Sequence, residues 1–226
     1  MKKAVVLLSG GLDSSTCTGI AKERGYELYA ISFDYNQRHK SELMSAKKIA
    51  EFYGVKKHII ITTNMDAIGG SALTDGDITV PDGVVERDAN DVPITYVPAR
   101  NLIFLSYALG YAEVVGAECV FIGVNSVDYS GYPDCRPEFI AKFQALADVA
   151  TKTTAADGKK IRIETPLLDL PKKDIILTAK KLGVPLHLTR SCYKGGDKAC
   201  GVCDSCKLRL KGFAEAGLTD EIEYEN

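Results

Sequence analysis

Four cysteines in the last part of the chain have the spacing of a metal site. Cys192, Cys200, Cys203 and Cys206 follow the pattern Cys-x7-Cys-x2-Cys-x2-Cys. Each Cys-x2-Cys turn can present two thiolates to one ion, and four soft ligands complete the tetrahedron typical of structural zinc. We therefore expect one structural Zn²⁺ per chain. An iron–sulfur cluster and two separate redox couples are the less favoured alternatives.

A glycine- and serine-rich segment near the start of the chain is suited to binding phosphate. It reads Ser9-Gly10-Gly11-Leu12-Asp13-Ser14-Ser15-Thr16. Its N–H groups and hydroxyls can donate to phosphate oxygens, and a helix starting at Asp13 or Ser14 adds its positive dipole end. A carboxylate in such a loop suggests that Asp13 holds Mg²⁺ on the phosphates. A plain turn with an Asp or Ser helix cap explains the same residues equally well.

This segment also excludes two common nucleotide-binding motifs. It lacks the Gly-Lys-Ser/Thr ending of the loop that cleaves γ-phosphates, and it does not match Gly-x-Gly-x-x-Gly. Neither a kinase-type site nor a dinucleotide-binding fold is therefore predicted.

Two further polar segments follow predicted strands. Arg38 and His39 come after the second strand, where they either contact phosphate and substrate or are polar residues of a helix start. The segment after the fourth strand contains residues that could bind a planar heterocycle, although a turn-rich surface loop would have a similar composition. Its candidate substrate-binding residues are Asn125, Asp128, Tyr129, Tyr132, Asp134 and Arg136.

Arg100 and Asn101 precede a strongly apolar segment and are predicted to lie in the first turn of a buried helix. The helix dipole and the arginine fork together favour an anion, either a phosphate or a substrate carboxylate. The alternative is a surface charge near a helix start.

Strands and helices alternate along most of the chain, which predicts an α/β fold with a doubly wound parallel sheet, in the order 3-2-1-4-5. In such sheets ligands bind beyond the carboxyl ends of the strands, so the polar segments should converge.

We expect a nucleotide-binding domain at 1–185 and a small C-terminal zinc-binding element at 186–226. Pro98 is expected in the first turn of the apolar helix. Residues 64–96 lack periodicity and have no assigned role. The predicted strands are 4–8, 28–33, 57–62, 119–124 and 161–164, and the predicted helices are 14–24, 40–53, 102–115, 137–153 and 171–182.

The composition is that of a globular protein without a strong charge bias. Hydrophobic residues make up 46% of the 226 residues, and 28 basic against 30 acidic residues give a net charge of −2. No global field therefore attracts nucleic acid or anionic lipid. The sequence also has no apolar run of about 20 residues and no secretion signal, so we expect a cytoplasmic protein.

Taken together, these motifs resemble a known family. The segment Ser9–Ser14 matches the SGGxDS loop of the N-type ATP pyrophosphatases, or PP-loop enzymes, which cleave ATP between the α and β phosphates to adenylate a substrate oxygen. Within that superfamily, residues 37–39, 97–101 and 128–136, together with the four cysteines, resemble the 7-cyano-7-deazaguanine synthases of queuosine biosynthesis. Asn36 and Ala99 stand where the family pattern has glycine.

The resemblance implies an adenine nucleotide alpha hydrolase-like fold and an ATP-dependent carbon–nitrogen ligase. Such an enzyme converts 7-carboxy-7-deazaguanine and ammonia to the nitrile through adenylated acid and amide, releasing AMP and pyrophosphate. Asp13 and Arg100 would be its catalytic residues, and ATP with Mg²⁺ its nucleotide. The family also suggests a homodimer that contacts neither membrane nor nucleic acid. Free ammonia is the expected nitrogen donor, since the chain has no room for a glutaminase domain.

Two alternatives of other classes share some of these features. A tRNA-thiolating PP-loop enzyme would use the same loop but needs a persulfide cysteine and a basic RNA-binding surface. A non-catalytic zinc-binding nucleic-acid module would need only the four cysteines. Turnover of ATP to AMP in the presence of the deazapurine acid separates all three.

Overall fold

A computed structural model describes residues 1–37, 41–83, 91–127 and 131–225. Its centre is a five-stranded parallel sheet in the order β3-β2-β1-β4-β5, which confirms the predicted order. The first strand of the chain lies in the middle and pairs with both β2 and β4. The strands are β1 (Lys3–Leu7), β2 (Glu27–Asp34), β3 (Lys57–Thr62), β4 (Cys119–Phe121) and β5 (Arg162–Glu164).

Seven α-helices in the described part of the chain surround the sheet. The helix predicted at 137–153 is divided at Thr151, whose hydroxyl accepts a hydrogen bond from the Thr154 N–H and starts a second helix. The last helix, which begins at Asp204 between two of the four cysteines, was not predicted. The helices are α1 (Leu12–Glu23), α2 (Ser41–Phe52), α3 (Arg100–Val115), α4 (Pro137–Ala150), α5 (Lys152–Asp157), α6 (Lys172–Lys181) and α7 (Asp204–Glu215).

Both faces of the sheet are covered by helices, as a doubly wound parallel sheet requires. Val5 of β1 belongs to a buried cluster with Leu105 of α3 and Phe143 of α4. Its neighbour Val6 belongs to a second cluster, with Ile49 of α2. Successive side chains of β1 therefore pack into different layers, which places the end of this strand between helices on both sides.

The start of α3 differs from the prediction. The helix begins at Arg100, so Pro98 precedes it and does not lie in its first turn. Ala99 is the N-cap residue and has a φ of 55°, in the left-handed region that favours glycine. The helix is also not buried all round, because Leu102 is 40% exposed and Val114 is 83% exposed. Only the face of α3 that packs on the sheet is covered.

The described parts of the segment 64–96 pack against the C-terminal element. The Gly83 N–H donates to the Val202 carbonyl over 2.7 Å, and Asp82 forms a β-bridge with Cys203. Asp82 also pairs with Lys194. This segment therefore lies against the four-cysteine cluster. Across the described ranges, the helices are too short or too polar to cross a lipid bilayer.

Candidate functional site

The carboxyl ends of β1, β2 and β4 open into a cavity of about 230 Å³. The glycine- and serine-rich segment after β1 forms one wall, and residues after β2, the first turn of α3 and the C-terminal element form the others. The predicted convergence is thus present for the described residues. Among the lining residues are Ser9, Gly11, Leu12, Asp13, Ser14, Tyr35, Gln37, Glu42, Arg100, Asn101, Asn125, Tyr132, Lys172, Arg190, Ser191, Tyr193, Ser205 and Arg209.

The loop between β1 and α1 has the geometry of an anion cradle. Gly11 is the N-cap of α1, and no side chain among the described residues caps this helix end. The first N–H groups of α1 are therefore available to an anion in the cavity. Gly10 has a φ of 89°, and a Cβ there would lie 2.2 Å from the Glu42 carbonyl oxygen. Only glycine fits this close approach of α2 to the loop.

Asp13 is not the helix cap, because the cap position belongs to Gly11. The hydroxyls of the loop serve its own backbone. Ser15 Oγ donates to the Gly11 carbonyl over 2.7 Å, and Thr16 Oγ1 donates to the Leu12 carbonyl over 2.8 Å. Ser15 and Thr16 are fully buried and do not line the cavity. The donors that this loop can offer to an anion are therefore the backbone N–H groups at the start of α1, with Ser9 and Ser14 beside them in the cavity wall.

Asp13 is bound to a lysine that the sequence analysis missed. The Nζ of Lys172, the first residue of α6, lies 2.9 Å from each carboxylate oxygen of Asp13. Both side chains are largely buried, with exposed fractions of 7% for Lys172 and 18% for Asp13. A cation thus already lies where a magnesium ion bound to Asp13 was expected, and the role of Asp13 as a magnesium ligand stays a prediction.

The missed residue had a weak sequence signal. Pro171 marked a helix start after β5, and the end of that strand belongs to the same edge of the sheet as the phosphate loop. A lysine in the first turn of that helix was therefore a candidate counter-charge for Asp13. Lys172 and Asp13 are 159 residues apart, so local spacing in the sequence could not predict their contact.

Arg100 faces the cavity from the start of α3 and lies among phenols and a carboxylate. Burial alone lowers the pKa of Arg100, but the neighbouring Tyr35, Tyr132, Asp134 and Tyr193 outweigh it and keep the guanidinium charged. Burial in turn raises the pKa of the Tyr35 phenol. Arg100 is therefore a fixed positive charge in the cavity wall, close to the phenols of Tyr35, Tyr132 and Tyr193.

Asp134 and Asn101 bind each other. The Asn101 N–H donates to Asp134 Oδ2 over 2.9 Å, and its side-chain amide donates to the Asp134 carbonyl over 3.2 Å. Burial raises the pKa of the Asp134 carboxyl. Asp134 therefore accepts a hydrogen bond from the first turn of α3, the turn that carries Arg100. It does not line the cavity.

Two other predicted substrate residues, Asn125 and Tyr132, line the cavity and are hydrogen-bonded to other parts of the protein. The Asn125 amide donates to the Leu167 carbonyl over 3.0 Å, and the Tyr132 hydroxyl is 2.7 Å from Thr95 Oγ1. Arg136 is half-buried and is not part of the cavity wall. Four predicted residues lie outside the described residues, namely Arg38, His39, Asp128 and Tyr129.

A second carboxylate in the cavity was also missed. Glu42 lies in the first turn of α2, after a segment whose role could not be derived from its spacing. Burial raises the pKa of its carboxyl to about 7, even though Arg100 acts in the opposite direction. Glu42 and Arg100 also line a side pocket of about 50 Å³ that adjoins the main cavity.

The four cysteines form a compact buried cluster. Their Sγ atoms all lie within 4.8 Å of one another. The Cys200 N–H donates to Cys192 Sγ over 3.4 Å, and the Cys203 N–H donates to Cys200 Sγ over the same distance. Sulfur atoms about 2.3 Å from a central ion are typical of zinc sites, and N–H donors stabilise thiolates there. The cluster fits zinc binding.

The helix that follows this cluster completes the cavity wall. Arg209 of α7 is 2% exposed and binds Asp220 through two hydrogen bonds of 2.6 and 2.8 Å. It also donates to Thr189 Oγ1 over 2.7 Å. Farther along α7, a Cβ on Gly212 would lie 2.6 Å from Cγ of Lys172. The cysteine element therefore supports the lysine that binds Asp13.

Comparison with known proteins gives consistent relatives over the whole chain. Residues 3–217 match the family model described as "Queuosine biosynthesis protein QueC". The chain is 60% identical over 226 residues to a 7-cyano-7-deazaguanine synthase from Desulfitobacterium hafniense, covering 100% of this chain and 94% of that protein. It is 58% identical over 224 residues to the synthase from Acetivibrio thermocellus, covering 99% and 98% respectively.

Solved structures show a similar fold at low sequence identity. NMN synthetase from Francisella tularensis has a TM-score of 0.51 at 17% identity, covering 96% of this chain and 78% of that chain. A 4-thiouridine synthetase in complex with RNA and ATP also has a TM-score of 0.51 at 17% identity, covering 96% of this chain but 50% of that chain. These two likenesses concern the fold.

Proposed function

The chain belongs to the QueC family of queuosine biosynthesis proteins, and on that premise we propose that it converts 7-carboxy-7-deazaguanine, ammonia and ATP to 7-cyano-7-deazaguanine. The observation that carries this proposal is the cavity itself, which combines an anion-binding loop, a fixed arginine and aromatic walls. Neither a thiolating enzyme nor a non-catalytic zinc module accounts for both the family and this cavity.

In the proposed reaction the loop binds the phosphates of ATP. The N–H groups at the start of α1 and the Nζ of Lys172 lie on one side of the cavity. Both stabilise negative charge that develops on departing pyrophosphate, which is the main way a protein accelerates such a step. Asp13 orients Lys172 through its two hydrogen bonds. Magnesium would then be bound by the phosphates rather than by Asp13.

Arg100 is the proposed anchor for the substrate carboxylate. A carboxylate is a poor electrophile, so one of its oxygens must first become part of a leaving group. Attack of that oxygen on the α-phosphate gives an acyl adenylate, and ammonia then displaces AMP to give the primary amide. Adenylation of the amide oxygen lets the nitrile form by elimination. The aromatic residues Tyr35, Tyr132 and Tyr193 provide flat surfaces beside Arg100 for the ring system.

The remaining features of the protein have supporting roles in this proposal. One zinc ion per chain would hold residues 192–206 together, with four cysteines leaving no coordination site for catalysis. Residues 1–185 would then act as the nucleotide-binding domain and 186–226 as the zinc-binding element. A cytoplasmic location suits an enzyme that uses ATP, and a homodimer without bound nucleic acid stays a prediction.

The test is the identity of the nucleotide product. With the deazapurine acid, ammonium and ATP, we expect AMP and pyrophosphate to accumulate together with the nitrile. Label from ¹⁸O in the substrate carboxylate should appear in AMP, since the adenylated oxygen leaves with the nucleotide. The primary amide should consume ATP and give nitrile without added ammonium. Formation of ADP, or of AMP without label, would refute the adenylation mechanism even if nitrile were formed.

A further inference from the structure

Glu42 is a carboxylate in the cavity wall that the proposed reaction does not use. Glu42 is half-buried, faces both the main cavity and the side pocket, and receives no hydrogen bond to its carboxylate from any residue in the described ranges. A carboxylate that is partly shielded from water and accepts no hydrogen bond is costly, so its position in the wall favours a ligand that carries positive charge or N–H groups.

The side pocket is of a size that restricts this ligand. Its volume of about 50 Å³ admits one or a few water-sized molecules and excludes a nucleobase or a deazapurine. Its walls are Tyr35, Gln37, Glu42, Leu73, Arg100, Cys192 and Tyr193. Two tyrosine rings and one carboxylate are the groups that bind a small ammonium-type cation, through cation–π contact and an ion pair.

We propose that this side pocket is the binding site for the nitrogen donor in its ammonium form, and that Glu42 is its counter-charge. The inference rests on the proposed function, in which free ammonium supplies the nitrogen. The site adjoins Arg100, so the nitrogen is held beside the acyl carbon that ammonia attacks once the cation has lost a proton.

Arg100 does not exclude a cation from the pocket. Its charge is already offset in part by the Asp134 carboxylate, and the substrate carboxylate offsets it further. The groups that face Glu42 are Arg100 from α3, Tyr35 after β2, and Cys192 and Tyr193 from the C-terminal element. Binding of the acid should therefore favour binding of ammonium, because it leaves Glu42 as the uncompensated charge.

One proton of NH₄⁺ passes to a Glu42 oxygen, and the freed lone pair forms the C–N bond to the acyl adenylate. The C–O bond to AMP breaks, with its electron pair remaining on the phosphate oxygen. The nitrogen then releases a second proton to water, which leaves the amide.

The experiment compares the two halves of the reaction in Glu42→Gln. With acid and ammonium at neutral pH, we expect the KM for ammonium to rise about tenfold or more. With the amide as substrate, which needs no ammonium, ATP consumption and nitrile formation should stay close to wild type. At pH values above the pKa of ammonium, where free ammonia is abundant, the defect with the acid should largely disappear. Glu51→Gln, on the exposed side of the same helix, is the matched control.

An unchanged KM for ammonium in Glu42→Gln would overturn the proposal. So would an equal loss in the acid and amide reactions, because that result would place Glu42 on the deazapurine or on ATP. Wild-type protein that forms no AMP at all would instead contradict the proposed function. If Glu42→Gln is not recovered as a folded protein, Glu42→Asp allows the same comparison between acid and amide.

Discussion

Asp13 accepts two hydrogen bonds of 2.9 Å from the Nζ of Lys172, and this pair joins the phosphate loop to the first residue of α6. Because both side chains are largely buried, removal of one leaves the other with an uncompensated charge. We therefore expect Asp13→Asn to cost about 2 kcal/mol of unfolding free energy and to abolish most turnover.

A double-mutant cycle distinguishes this pair from a magnesium site. If Asp13 acts through Lys172, then Lys172→Gln should reduce turnover as strongly as Asp13→Asn, and the double variant should be little worse than either. If Asp13 held magnesium, Asp13→Asn alone would raise the magnesium concentration needed for activity. Glu215→Gln, which breaks the exposed Lys211–Glu215 pair, serves as the control and should change stability very little.

Gly212 tests whether the cysteine element supports the active site. A methyl group there would lie 2.6 Å from Cγ of Lys172 and 2.9 Å from Cδ1 of Ile176. We expect Gly212→Ala to cost about 2 kcal/mol and to lower kcat, because Lys172 must move away from Asp13. Gly110→Ala in α3 meets open space and should instead raise the unfolding free energy by about 1 kcal/mol. If the two variants had the same unfolding temperature and the same kcat, the proposed contact between Gly212 and Lys172 would not influence the active site.

Ala99 should be a site where stability can be gained. Its φ of 55° places an alanine side chain in a backbone conformation that glycine adopts without strain. Ala99→Gly is therefore expected to raise the unfolding free energy by about 1 kcal/mol, measured by denaturant titration. Ala141→Gly, at an exposed position within α4, should have the opposite sign. A loss of stability in both variants would show that Ala99 is not strained.

The four-cysteine cluster should bind one zinc ion per chain and depend on it for its structure. Cys203 is fully buried, and Cys203→Ser should remove the metal together with the soluble fold, because little else holds this loop. Cys17→Ala, at a buried position of α1 far from the cluster in sequence, should keep the zinc. Metal analysis of purified protein is the measurement, and a folded Cys203→Ser variant would count against a structural zinc.

The parts of the fold that follow from local patterns were predictable. Short apolar runs separated by helical periodicity were sufficient for the alternation of strands and helices, and the spacing of the four cysteines identified their cluster. The strain at Ala99 could also be anticipated, since Asn36 and Ala99 replace family glycines and both have positive φ values, of 56° and 55°.

Several charged residues of the site were not predictable from the spacing of residues in the sequence. Lys172 and Glu42 have ordinary helix-start surroundings in the sequence, and their importance comes from the cavity they share with residues far away in the chain. Asp134 was interpreted as a ligand for a heterocycle, but its carboxylate accepts from the Asn101 N–H. A carboxylate in a turn-rich segment has no local signal that distinguishes a helix cap from a ligand contact.

The Asp13–Lys172 pair also has a consequence for biosynthesis on the ribosome. The phosphate loop emerges first, but its lysine follows 159 residues later, and Arg209 and Asp220, which fix the helix behind that lysine, follow later still. A nascent chain thus exposes a glycine-rich loop with an unpaired carboxylate for most of its synthesis. The support behind Lys172, and with it this side of the cavity wall, can therefore be completed only after residue 220 has been synthesised.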